Sequence, residues 1–189
     1  MSEDTVLNES YSIFKEKITF DDFKGKLDSL KIDKWNFVRA VLLYNQAVKC
    51  RKCNPNVGMT LLSSCADALQ LVGEGKPSAN FKKFYLSFCP TEIRTPPIEL
   101  YPNGKLPRIT ASFDKALHYI YKQFRCMYVH EGIGYLETAP DGIDWHTLCD
   151  KIKGEKDIYS VDMMQIANWF EKVTFESLYV MLTTENSPE

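Results

Sequence analysis

No stretch of this sequence approaches the ~18–20 consecutive apolar residues that a membrane-spanning helix requires, and its formal net charge is only -2. A near-neutral chain is not a general trap for polyanions, so any nucleic acid it binds must meet a local basic patch. The start, Met1-Ser2-Glu3-Asp4, is acidic and lacks the basic and apolar regions of a secretory signal. We therefore expect a cytoplasmic protein with no membrane partner, and its six cysteines in the reduced state. Glycine-rich phosphate loops of the Walker and Rossmann types are missing, as are GxSxG and HExxH. Their absence argues against common NTPases, dehydrogenases, hydrolases and zinc proteases. Cys50 and Cys53 form a single CxxC, whose functional readings are half of a zinc site or a redox pair, with no second CxxC or paired-histidine motif to complete a zinc site. We expect no metal and no cofactor; a zinc-stabilised interaction protein is the weakest of the readings considered. Lys49, Arg51 and Lys52 around this motif read as a solvated helix terminus or as a guide for RNA.

What is present is helical periodicity. The chain has 189 residues, 44% hydrophobic and 13% aromatic, enough for one domain with a substantial core. Residues 1–18 are polar and mixed and read as a loose N-terminal arm, with a single helical domain over 19–189. Thr19 with Asp22 resembles a capping box before Phe20, Phe23, Leu27 and Leu30. Asp33 can cap a long helix to about Lys52, with a broad apolar face typical of a central bundle helix. Asn54-Pro55 is a cap followed by proline in the first turn, and Gly73 and Gly75 end the helix that follows. Ser78 opens another helix, carrying Phe81, Phe84, Tyr85 and Phe88 and stopped by Pro90. Residues 90–111 hold five of the nine prolines and predict an irregular insert, neither helix nor central strand. Ser112 begins a helix striped by Phe113, Leu117, Tyr121, Phe124 and Tyr128 and broken by Gly132 and Gly134. Trp145, Leu148, Cys149 and Ile152 predict a short helix, and Ser160 the cap of a last helix to about Leu182. The class is all-α: a bundle of four to five core helices, with additional short helices and a proline-rich insert.

The chemistry concentrates at Arg125 and His130. Arginine is a permanent cation with a rigid donor fork suited to phosphate. Histidine exchanges protons near neutral pH. On an ideal α-helix, residues five apart differ by roughly 140°, so the two side chains converge only if the helix end departs from that geometry. Tyr121, Tyr128 and Lys122 stand beside them as candidate substrate-binding residues, by hydroxyl, ring stacking or charge. The alternative for the pair is structural: Arg125 bound to a carboxylate, and His130 favouring the helix dipole. His118 and His146 belong to no recognisable constellation.

The stretch from Arg125 to His130 resembles the Arg-four-to-six-His signature of the HEPN superfamily. The helix order over residues 33–183 is similar to that family's bundle, and Asp67 falls in the helix where members often carry an acidic residue. Cys126 stands where active members usually have asparagine, aspartate or histidine. The resemblance implies a metal-independent endoribonuclease in which the RNA 2′-hydroxyl is the nucleophile. Arg125 and His130 would be catalytic, in a composite site at a homodimer interface, with RNA as partner and a neutralising or regulatory protein as a further one. The alternative is a non-catalytic HEPN-like module binding a nucleotide, nucleic acid or protein.

Overall fold

The computed structural model describes residues 2–73, 75–101, 107, 109–127, 145–147 and 158–184. The chain is mostly helical. Among the described residues its α-helices are α1 (Glu3–Tyr11), α2 (Phe20–Ser29), α3 (Lys34–Arg51), α4 (Pro55–Ala68), α5 (Pro77–Phe88), α6 (Phe113–Ile120) and α7 (Met163–Thr183). Among the described residues no helix is long and apolar enough to cross a membrane.

Side-chain caps fix most helix starts by satisfying backbone N–H groups that have no partner within the helix. Thr19 accepts from Asp22 N and donates to the Asp22 carboxylate. Asp33 accepts from Trp35 N and Asn36 N, Asn54 from Asn56 N and Val57 N, and Ser112 from Lys115 N. α5 begins one residue earlier than its serine suggests, at Pro77, with no side-chain cap. α7 is capped by Asp162, which accepts from Met164 N and Gln165 N. Ser160 is not that cap, because its backbone is committed to a strand.

α3 and α4 form a tight antiparallel hairpin. A Cβ at Gly58 would stand 2.7 Å from Arg51 Cβ and 2.9 Å from Arg51 Cα, so the absence of a side chain sets this approach. α7 packs across α3, α4 and α5. Phe37, Leu62, Phe81, Phe84, Tyr85 and Phe170 are buried between these helices. The buried Tyr85 hydroxyl donates to Leu62 O at 3.2 Å and lies 3.1 Å from Thr174 Oγ1, which meets the requirement that a buried hydroxyl be paired.

Three sequence expectations are corrected here. Residues 1–18 are not a loose arm: Ser2 caps α1, α1 packs on α3, and Phe14 is fully buried among Phe23, Phe37, Phe175 and Tyr179. Lys17 pins the segment to α7 through Glu176 at 3.0 Å and lies 4.4 Å from the Tyr179 ring centre. The polar residues that suggested an arm form the solvent face of this amphipathic piece.

The insert is not wholly irregular. It contributes β1 (Ile98–Tyr101) and β2 (Ile109–Thr110) to an antiparallel sheet completed by β3 (Trp145–Thr147) and β4 (Ile158–Val161), in the order β2-β1-β4-β3. β1 is thus a central strand. Its prolines, Pro96 and Pro97, fall before its first residue, where no ladder bond is lost. Finally, Trp145 lies in strand β3, paired with Val161, and not in a helix. Leu148, Cys149 and Ile152 lie outside the described residues.

Candidate functional site

The helix opened by Ser112 changes its winding midway. α6 gives way at Tyr121 to a π-helical segment, Tyr121–Met127. Such segments are rare and energetically unfavoured, and recur at functional sites. Their hydrogen bonds run from residue i to i+5, so residues five apart lie closer in rotation than the roughly 140° of an α-helix. α4 supports the segment: Thr60 Oγ1 donates to the Phe124 carbonyl at 3.3 Å while also bonding Asn56 O at 2.9 Å. Phe124 is buried beneath.

Arg125 projects from this segment to Asp67, in the last turn of α4, and its Nε donates to Asp67 Oδ2. Both side chains are about four-fifths buried, at 19% and 20% exposure. Burial pushes the Asp67 carboxyl above the usual range, and the hydrogen bond and charge of Arg125 oppose that rise. The second oxygen, Asp67 Oδ1, is buried without a hydrogen-bond partner among the described residues, as is Gln123 Nε2. Because Nε is the engaged atom, the far edge of the guanidinium is the part able to fork onto a phosphate.

Tyr121 lies on the same patch, half-buried, its ring 5.3 Å from that of Phe81. Its hydroxyl is pushed up to about 12, first by burial, then by hydrogen bonding and charge at Cys126 and by the charge of Asp67, with Arg125 acting in the opposite sense. Tyr121 and Cys126 are five residues apart, and their interaction follows the π-helical register. Cys126 is half-exposed, and so is Lys122 in the same segment. The structure therefore brings together Arg125, Tyr121 and Asp67. Tyr128 and His130 lie outside the described residues, as do Gly132 and Gly134.

Other candidates lie elsewhere. His146 belongs to β3, opposite Ser160, and His118 to α6. Arg51 is not part of a solvated terminus available to RNA: its Nε lies 2.6 Å from Glu171 Oε2, and Nη1 donates to Asn168 Oδ1, joining α3 to α7. The nearby Tyr44 hydroxyl is raised by burial and then by Glu171. Sequence reading missed this pair because its halves are far apart in the chain. Among the described residues, no group of three or more His, Cys, Asp or Glu could hold a metal ion.

Comparison with family models, curated proteins and solved structures finds no match to this chain.

Proposed function

We propose that this chain is a metal-independent endoribonuclease of the HEPN type, cleaving single-stranded RNA by attack of its own 2′-hydroxyl. The observation that carries the reading is the π-helical winding at Tyr121–Met127. The ~140° that separates residues five apart on an α-helix is the main physical objection to Arg125 and His130 acting together. A π-helical winding, with roughly 4.4 residues per turn, narrows that offset to roughly 50°. His130 itself lies outside the described residues.

Arg125, steadied by Asp67, would clamp the phosphodiester and stabilise the charge of the phosphorane. His130 would exchange protons with the attacking or leaving oxygen. One such histidine per chain supplies either the acid or the base. A two-fold dimer would juxtapose two pairs and supply both.

The test is incubation of purified protein with varied single-stranded RNAs in excess EDTA. The expected products carry 2′,3′-cyclic phosphate ends. Alanine at His130 should cost ~100- to 10,000-fold in rate, and light scattering should show a dimer at micromolar concentration. A second reading, a non-catalytic module binding nucleotide, nucleic acid or protein, is favoured by one observation: Arg125 already has a carboxylate partner in Asp67. RNA binding without cleavage, in both wild type and Cys126→Asn, would select it.

A further inference from the structure

The CxxC at the end of α3 is not absorbed by the proposed site, and the structure gives it a definite geometry. Cys50 lies in the last turn of α3 and Cys53 in the turn that leads to α4. The Cys50 carbonyl accepts from Cys53 N at 3.0 Å and from Asn54 N at 2.8 Å. A reversal closed by an i to i+3 hydrogen bond holds its end Cα atoms within ~7 Å, about the span of a disulfide (~4.4–6.8 Å). Side chains three apart in such a tightened turn nearly eclipse one another.

The two thiols also differ in access. Cys53 is exposed and Cys50 half-buried, whereas Cys65 and Cys89 are buried. Of the two residues between them, Arg51 is turned away and held by Glu171 and Asn168, and Lys52 is exposed. Lys52, exposed beside Cys53, and Lys49, exposed before Cys50 and 3.7 Å from Glu9 Oε1, place two ammonium groups next to the thiols. That is a cationic approach suited to a small disulfide bearing carboxylates.

We propose that Cys50 and Cys53 form a dithiol–disulfide site whose oxidant is a small acidic disulfide of the glutathione class. The Cys53 thiolate attacks one sulfur of that disulfide, forming a mixed disulfide and releasing one small thiol. The Cys50 thiolate then attacks Cys53 Sγ, closing the Cys50–Cys53 bond and releasing the second small thiol. Two electrons pass from the protein to the small disulfide, and the two protons lost by the cysteines leave with the two small thiols. This inference does not depend on the ribonuclease reading.

The experiment treats the full chain with oxidised glutathione and maps non-reduced peptides by mass spectrometry. Wild type should lose two hydrogens in the peptide spanning both cysteines and carry little glutathione there. In Cys50→Ser the second step is blocked, so the Cys53 adduct should accumulate at least ~10-fold over wild type. Cys53→Ser should gain far less adduct at position 50. Equal, persistent adducts at Cys53 in wild type and Cys50→Ser would overturn the proposal. So would two free thiols after oxidation, or disulfides joining either residue to another cysteine. The wild-type mapping decides the matter even if a variant folds poorly.

Discussion

Arg125 and Asp67 are 58 residues apart in sequence and share an ion pair in which Nε of the one donates to Oδ2 of the other. The pair couples the π-helical segment to the end of α4. It engages the guanidinium through its Nε edge.

If the guanidinium acts as a phosphate clamp, shape matters as well as charge. Arg125→Ala should reduce RNA cleavage in EDTA by ~100- to 1,000-fold, the scale for removing one preorganised donor to a transition state. Arg125→Lys should recover little of it, because an ammonium cannot reproduce the fork. Rates for Arg125→Lys near wild type would argue for a simple electrostatic role.

The same pair sets a pH dependence. The folded-state Asp67 carboxyl is raised above its ordinary value of 3.8, first by burial. The folded state thus holds this proton more tightly than the unfolded chain. The stabilising contribution is full below that ordinary value and is lost as pH rises through the folded-state value. Arg125→Gln removes what opposes the rise, so the loss should deepen and extend to higher pH. Urea midpoints measured from about pH 4 to 8 should fall more steeply with pH in Arg125→Gln than in wild type. Adding Asp67→Asn should flatten the difference. Superimposable profiles for wild type and Arg125→Gln would refute this account.

Phe14 tests the N-terminal segment. It is fully buried against rings from α2, α3 and α7. Phe14→Ala should lower unfolding free energy by about 3–5 kcal/mol, as for a buried phenylalanine elsewhere. A dispensable arm would show no change in denaturant midpoint.

Gly58 tests the α3–α4 contact. Its neighbour across the hairpin is Arg51 backbone and Cβ, which cannot swing aside as a flexible side-chain tip would. Gly58→Ala gains some helix propensity but forces the helices apart. The net expectation is a loss of about 1–3 kcal/mol, the usual cost of overpacking, read as a lower melting temperature. A stabilised variant would mean that the hairpin yields easily.

Local signals carried the sequence reading where they settled the structure alone. Thr19, Asp33, Asn54 and Ser112 marked helix starts because a cap is satisfied within three residues of itself. Arg125 and Tyr121 stood out by residue type, and Asp67 only through what the family resemblance implies for its helix. Features set by distant pairing were not legible. Residues 98–101 are extended because β4 lies beside them, and nothing within the proline-rich insert announces that partner. The π-helical winding was equally hidden: Tyr121–Met127 has ordinary α-helical periodicity, and its register is supported from outside, by Thr60 and Asp67 on α4.

The ladder between β1 and β4 gives the segment carrying Arg125 an unusual mechanical footing. Four residues of one strand face four of the other, from Ile98 opposite Val161 to Tyr101 opposite Ile158, and all of α6 and the π-helical segment lies between these strands in the chain. Departure and return are riveted at one seam, with Ile98, Leu100 and Val161 buried along it. Separating the two ends of the excursion therefore requires breaking the β1–β4 ladder.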